Sequence, residues 1–490
     1  MVLTPSMRDW FFLILSAIAL SSGRIFLGIL FLNIFVLSIL QDRGYLEKWN
    51  ATKVLGFILM LRTSKGQKIL EKISRPRKFW RGFGEFSIWI CLIMLFFTTL
   101  IVILSFISIF TSTRDQISIE PGEVLLIPGV STGIPIFWPI IALIVALIIH
   151  EYGHGILMRA HGMRVRSFGL LIFSFIPMGA FAEPEYREVL KAPKRERMRI
   201  YAAGPTVNLV FSFILILILA IGISGINSTM QGAYSAAIVV DGPADEGGLE
   251  PYDLIFEVNN QSIRNGNDLR EILNSSRAGD VLIVKILPFD GKEWGGEQTI
   301  QITLGDRYEQ YRSQNISEND LERAGINQGD AFLGVQGDSL GPTIRDTEQG
   351  KNRLMGPFNP DLTTGQRVIS TIIYPIEMLS IPFQLNGEIM TLEEQKMLDF
   401  SIIEFFIIEG LFWFFWINFL LGFANLIPVV PFDGGHIMRD LINSIINWTA
   451  EKGGLIHSQK AEIIATKTSN IASLLFFIIF LIPILYGLII

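Results

Sequence analysis

Two short stretches of the chain hold most of the residues able to do metal chemistry. The first is Ile149-His150-Glu151-Tyr152-Gly153-His154, where two histidines stand four residues apart with a glutamate between them. On a helix, residues at that spacing share a face, so His150 and His154 can aim imidazole nitrogens at one metal ion. Glu151 lies one step round the helix, near enough to take a proton from a metal-held water without being a ligand. Zinc accepts such N/O donors and lowers the pKa of a bound water towards 7. The residues before the motif, Pro139 to Ile149, are all apolar. Ionisable groups after such a run sit at or near bilayer depth, where they are costly and kept for function.

A catalytic zinc usually takes three protein ligands and leaves one position open, so a third donor is needed. The other histidines are His161, His436 and His457. The second polar cluster is Asn425-Leu426-Ile427-Pro428-Val429-Val430-Pro431-Phe432-Asp433-Gly434-Gly435-His436. Its prolines deny helical hydrogen bonds, so a helix must break there. Irregular backbone at membrane depth is tolerated only inside protein or along a wet cavity. At ~1.5 Å per residue, Leu426 lies roughly 24 Å in from Gly410, and His150 roughly 20 Å in from Phe137. Asp433 is therefore the expected third ligand. His436, three residues on, is its rival and otherwise a neighbour of the site. His161 and His457 are expected as interfacial or solvated side chains.

The elements that must position these residues follow from composition. Of 490 residues, 50% are apolar and 18% charged, with a mean hydropathy of +0.45. The apolar residues lie in long blocks at both ends and around 136–225, while 226–400 has an ordinary soluble composition. A purely soluble, fibrous or disordered chain is excluded. A net charge of −6 leaves no nucleic-acid footprint, and the single cysteine, Cys91, excludes both an intrachain disulfide and a multi-cysteine metal site. A bilayer crossing needs about 20 apolar residues. Blocks 86–110, 136–158, 201–225, 408–430 and 470–490 qualify, and 10–40 is expected to be one long or tilted span, giving about six crossings.

Basic residues then orient the chain. Segment 41–85 carries eleven Lys/Arg and 159–199 nine, whereas 111–135 has only Arg114. These put the N-terminus and 226–400 outside and the basic segments in the cytoplasm. Residues 224–367 hold 22 Asp/Glu against 12 Lys/Arg, an acidic balance that agrees. The metal site then lies nearer the cytoplasmic face. Within the first basic segment, Val54 to Leu61 is too short to cross and is expected to be an interfacial amphipathic helix.

In these residues the chain resembles the site-2 protease family of intramembrane zinc metalloproteases. HEYGH in one span and NLIPVVPFDGG in a later one match its paired motifs, in order and with a soluble insert between. Ala202-Ala203-Gly204-Pro205-Thr206-Val207-Asn208 resembles its AGP-x-x-N element, Pro177-Met178-Gly179-Ala180-Phe181 its re-entrant loop motif, and Arg62 to Gly66 matches more loosely. The resemblance implies zinc on His150, His154 and Asp433, and Glu151 as general base. It also implies Asn208 as a donor to the substrate carbonyl or oxyanion; the alternative use of such a residue is an interhelical hydrogen bond. Ser167–Phe181 suits a re-entrant hairpin whose edge, including Gly179, Ala180 and Phe181, would hold an extended substrate by strand addition.

In the insert, Ala237–Val240, Leu254–Val258 and Val281–Ile286 read as strands and Leu269–Leu273 as a helix. With Gly242-Pro243-Ala244-Asp245 and Gly248-Leu249 they resemble a protease-associated PDZ domain, which would bind a peptide or a substrate ectodomain. Phe332 to Val335 is expected to add a strand, Arg367 to Phe383 to lie along the interface, and Asn227, Asn260, Asn274 and Asn315 begin N-x-S/T sequons.

The expected fold is a polytopic α-helical membrane protein with a re-entrant β-hairpin and an extracytoplasmic PDZ-like α+β domain. Its parts are 1–135 (N-terminal helices and basic loop), 136–225 (zinc-helix half), 226–400 (insert, PDZ-like at about 234–340) and 401–490 (third ligand and last helix). The expected function is an intramembrane zinc metalloendopeptidase of the cell membrane that cuts transmembrane protein substrates. A metal transporter or sensor shares the buried donors but has no need of Glu151; a silent PDZ-bearing scaffold needs none of the three.

Overall fold

Long apolar runs that satisfy their own backbone become helices, and these dominate the molecule. In this computed structural model the described residues are 7–111, 128–129, 131, 133–174, 176–314, 316–336, 343–453 and 458–489. Arg114, Asn315 and His457 lie outside them. The chain forms two compact units, Met1–Leu215 with Trp413–Ile490, and Ile216–Phe412.

The main helices, in chain order, are α1 (Met7–Ser21), α2 (Ile25–Asp42), α3 (Arg77–Thr111), α4 (Phe137–Ala160), α5 (Lys194–Ser224), α6 (Gly266–Ser275), α7 (Thr364–Glu377), α8 (Ile402–Ala424), α9 (Asp433–Gly453) and α10 (Ser458–Ile489). Among the described residues, α3, α4, α5, α8 and α10 are long and apolar enough to cross a membrane. The block 10–40 is not the single span expected of it. Gly23 (φ +72°) turns the chain and α1 folds back on α2, with Gly28 packed under Leu20 and Ser16 Oγ donating to the Gly28 carbonyl at 2.8 Å.

The first unit also carries a four-stranded antiparallel sheet in the order β1 (Ala51–Val54), β2 (Ile58–Thr63), β3 (Val165–Phe173), β4 (Ile176–Pro184). The interfacial helix expected at Val54–Leu61 is thus the first hairpin of a sheet. Leu55 (φ +51°) and Gly56 (φ +85°) make its turn, Asn33 Nδ2 donates to the Phe57 carbonyl, and β2 pairs with β3 from Leu59–Ile172 to Thr63–Phe168. An apolar octet looks the same to a helix and to a sheet; a partner strand a hundred residues away decides between them.

In the second unit, β5 (Ala233–Tyr234), β6 (Ala237–Ile238), β7 (Leu254–Val258), β8 (Gln261–Ser262), β9 (Val281–Leu287), β10 (Gln298–Thr303), β11 (Gly305–Asp306), β12 (Ala331–Phe332), β13 (Val335–Gln336) and β14 (Arg345–Asp346) build its sheets. The largest runs β10-β9-β7-β5-β14, with β8 on β7. Its core joins Val258, Leu269, Val284, Ile302, Leu333 and Ile344. The stretch Phe332–Val335 is split: β12 pairs with β11 and β13 with β6. Residues 306–400, where no family feature was matched, hold several helices; α7, which Thr363 opens with a capping box, covers much of the segment Arg367 to Phe383 expected along the interface.

Candidate metal centre

Helix α4 carries His150, Glu151 and His154, and α9 starts at Asp433. The structure brings three of these side chains to one point. His150 Nε2 and His154 Nε2 are 3.2 Å apart, and Asp433 Oδ2 lies 3.2 Å from the first and 3.3 Å from the second. Donors about 2.0–2.1 Å from a tetrahedral zinc stand about 3.3–3.4 Å from one another. The triangle therefore has the size and the N/N/O chemistry that fit a zinc ion.

The tautomer is set from behind. His154 Nδ1 donates to the Ile200 carbonyl of α5 at 2.7 Å, which leaves the Nε2 lone pair for a metal. Helix α5 also makes the space. A Cβ on Gly204 would stand 2.4 Å from His154 Nε2 and 2.8 Å from His150 Nε2. Gly153 faces the Ala203 carbonyl so closely that its own Cβ would meet it at 3.0 Å, so α4 and α5 approach through small residues.

Asp433 arrives by a different route. After α8 ends at Ala424 the backbone turns tightly through the two prolines. Gly434 N–H donates to the Asn425 carbonyl at 2.8 Å, Val430 N–H to Ser473 Oγ at 3.0 Å, and Thr98 Oγ1 to the Leu426 carbonyl at 3.0 Å. These bonds explain how a non-helical segment survives among membrane-length helices. Neither glycine tolerates a side chain: a Cβ on Gly434 would sit 2.4 Å from the Leu426 carbonyl carbon, and one on Gly435 2.4 Å from that of Val429. Two turns on, Asp440 receives Arg197 of α5 in a two-pronged ion pair of 2.8 and 3.1 Å, with the carboxylate fully buried.

Glu151, next to His150 on α4, accepts the Ala182 N–H of β4 on its Oε2 at 2.7 Å. Asn208, fully buried on α5, donates its Nδ2 to the Ala146 carbonyl of α4 at 3.2 Å. His436 is not part of the donor group; its ring stacks on Tyr201 with centroids 4.8 Å apart and planes at 15°. His161 is buried rather than solvated, its Nδ1 3.5 Å from Glu196, and burial lowers its pKa against that carboxylate's pull. Ala180 and Phe181 line a cavity of about 360 Å³ beside Glu151; Gly179 lies outside that lining. Gly204 and the Arg197–Asp440 pair were not singled out from the sequence. The run of small residues Ala202-Ala203-Gly204 was the available signal for the first, and nothing in the sequence joins the second two.

A model of peptidase family M50 matches residues 138–480. The uncharacterized protein MJ0971 of Methanocaldococcus jannaschii is 33% identical over 232 residues, 47% of this chain and 60% of its own. Zinc metalloprotease Rip1 of Mycolicibacterium smegmatis is 24% identical over 393 residues, 66% of this chain and 89% of its own. The probable protease eep of Enterococcus faecalis is 22% identical over 269 residues, 53% of this chain and 54% of its own. The chain thus spans less than two thirds of the first and third relatives and most of the second.

Proposed function

The chain belongs to peptidase family M50, the site-2 proteases, and on that premise we propose that it hydrolyses peptide bonds of membrane-embedded proteins at the His150–His154–Asp433 centre. The class is a zinc metalloendopeptidase in a multi-pass membrane protein. The observation that carries the assignment of residues is the donor triangle with edges of 3.2–3.3 Å and a carboxylate on the adjoining helical position. Zinc held by the two Nε2 atoms and the Asp433 carboxylate would supply Lewis acidity and an acidified water at neutral pH. Glu151 takes the proton of the attacking water and delivers it to the departing amine nitrogen. Asn208 uses one amide N–H on Ala146, which braces α5 against α4, and keeps a second N–H for the developing oxyanion.

A transmembrane substrate must unwind before it is cut, and β4 supplies partners for the freed backbone. Among the described residues β4 pairs only with β3. In an antiparallel ladder alternate residues turn both polar groups outward. Ala182 spends its outward N–H on Glu151, so Ala180, two residues away, turns its N–H and carbonyl to the same open side. An added strand hydrogen-bonded at Ala180 runs past Glu151, with Gly179 and Phe181 flanking the contact.

For topology we infer that the five long helices cross, with the basic segments cytoplasmic and 226–400 outside. The α1–α2 pair returns the chain to the side it came from, which moves the N-terminus to the cytoplasmic face. The division at about 135, 225 and 400 follows. We read 234–340 as PDZ-like, a peptide adding to the edge of β13 that no strand occupies among the described residues. Support comes from the Val239 N–H bond to the Gly334 carbonyl (2.8 Å) and from Gly334 itself, whose φ of +88° and contact with Ala244 N exclude a side chain.

The test is Glu151→Gln in purified protein. Zinc content by elemental analysis is expected to stay at one per chain while cleavage of a transmembrane substrate falls to background. Cleavage at the wild-type rate would refute the assignment.

A further inference from the structure

The β-sheet and α4 separate just beyond Ala182, and the space between them has a definite character. The register pairs Phe168 with Ala182, Leu170 with Ala180, and Leu61 with Leu170. Paired residues share a face, so Leu61, Phe168, Leu170, Ala180 and Ala182 all present side chains to one side of the sheet. At one end that face is filled: the Phe168 ring stacks on Tyr152 of α4, centroids 4.7 Å apart and planes at 7°. At the other end Leu61, Leu170 and Ala180 face Ile148 and Glu151 across the cavity of about 360 Å³. Interiors are normally packed to the density of organic crystals, and a volume of this size falls in the range of built ligand sites.

We propose that this cavity is the side-chain subsite of the protease, and that it takes a large apolar residue (Leu, Met or Phe) immediately next to the scissile bond. The proposal rests on strand addition to β4. Residues opposite one another in an antiparallel pair have Cβ atoms about 4.5–5.5 Å apart. A substrate residue opposite Ala180 therefore meets only a methyl group, and its side chain leans across that methyl into the space walled by Leu61, Leu170 and Ile148. Ala180 is about 6.8 Å along the strand from Ala182, where Glu151 is held, which puts that residue beside the reacting carbonyl. The lining also holds Arg62, Thr63 and Lys65, but an acidic side chain set among Leu61, Leu170 and Ile148 beside the Glu151 carboxylate would lose its hydration and be rejected. The Gly169 position keeps the neighbouring strand thin, because the Phe181 ring already occupies the place of its missing side chain on the opposite face.

The experiment uses full-length enzyme in detergent and a model transmembrane substrate carrying Ala, Leu, Phe or Asp at each residue flanking its cleavage site. At one flanking position wild type is expected to favour Leu or Phe over Ala by about tenfold or more in kcat/KM, the scale one apolar pocket achieves, and to reject Asp. Ala180→Leu fills the sill and should bring the Leu/Ala ratio close to one. Leu170→Ala deepens the pocket and should shift the preference from Leu towards Phe. Zinc content equal to wild type certifies both variants as folded. A wild-type enzyme with no preference at any flanking position, or one whose preference persists in both variants, would overturn the subsite. Ala180→Pro separates the premise from the proposal: it removes only an outward N–H, which an edge strand tolerates. Full activity in Ala180→Pro would sink strand addition, whereas lost activity there with an unaltered preference in Ala180→Leu would sink the subsite alone.

Discussion

The two sides of the donor triangle are built by opposite means. His150 and His154 stand on an unbroken helix, and their 3.2 Å approach follows from a four-residue spacing that any α-helix provides. Asp433 stands at the end of a segment that is neither helix nor strand, and it reaches the same point through tertiary contacts. Local geometry supplies two of the proposed ligands at no cost in specificity, while the proposed third depends on glycines without room for a side chain, on hydrogen bonds to α3 and α10, and on an ion pair to α5. The α4 side should therefore fail only when a ligand is removed, and the α9 side should fail when its supports are removed as well.

The largest effects come from the ligands and do not distinguish the sides. His150→Ala and Asp433→Ala should each lose metal and fall to background cleavage. Zinc retained at one per chain in both variants would overturn the ligand set.

The sides separate at the next level. Gly434→Ala inserts a Cβ 2.4 Å from the Leu426 carbonyl carbon, and both are main-chain positions that move only together. A displacement of the order of 1 Å at a reacting site costs about 100-fold, so kcat should fall by about that factor with every ligand still present. Gly162→Ala is the control on the other side: Gly162 has φ +84° just past the end of α4, but an added Cβ would meet nothing within 4 Å, so it should cost about 1 kcal/mol of stability and little activity. Equal kinetic losses in the two variants would erase the contrast.

The ion pair comes third. Asp440→Leu alone leaves Arg197, largely buried, without its carboxylate and should destabilise the fold by about 3 kcal/mol. Because Asp440 shares a helix face with Asp433, zinc affinity measured against a chelator should also drop, by roughly 10- to 100-fold. Pairing Asp440→Leu with Arg197→Met removes the unpaired charge. Stability should then recover while zinc affinity stays reduced. Full recovery of both would mean that the pair contributes packing and no positioning.

The same contrast explains what the sequence could disclose. The histidine spacing was legible because helical periodicity is local, and in the insert β9 and α6 were legible because they bury an alternating or amphipathic pattern, and β7 because it is a short apolar run. Asp433 was reached by the proline-broken segment, by counting depth along two spans, and by the family resemblance. Three features were misread or missed because their cause lies far along the chain. Residues 54–61 became a hairpin because β3 stands ready to pair with β2. The block 10–40 became two helices because Gly23 accepts a left-handed turn, and Gly28 then admits Leu20. Gly204 matters because of two imidazoles fifty residues earlier in the chain, which no local pattern reveals.

The smallest expected effect probes the residue that competed with Asp433. His436 lies one turn into α9, and a ligand role would require its imidazole to face the triangle. Its ring instead lies flat on Tyr201, with centroids 4.8 Å apart. A phenyl ring offers the same flat face and no donor atom. His436→Phe should therefore keep one zinc per chain and change kcat/KM by no more than about threefold, since stacked rings are worth only about 0.5–1.5 kcal/mol beyond their buried area. His436→Ala, which removes the stack, should cost more than His436→Phe because α9 then loses a second contact with α5 besides Arg197–Asp440. Loss of zinc in His436→Phe would transfer the third ligand from Asp433 to His436, and a ranking in which Phe is worse than Ala would show that the nitrogen, not the ring, is what α9 contributes.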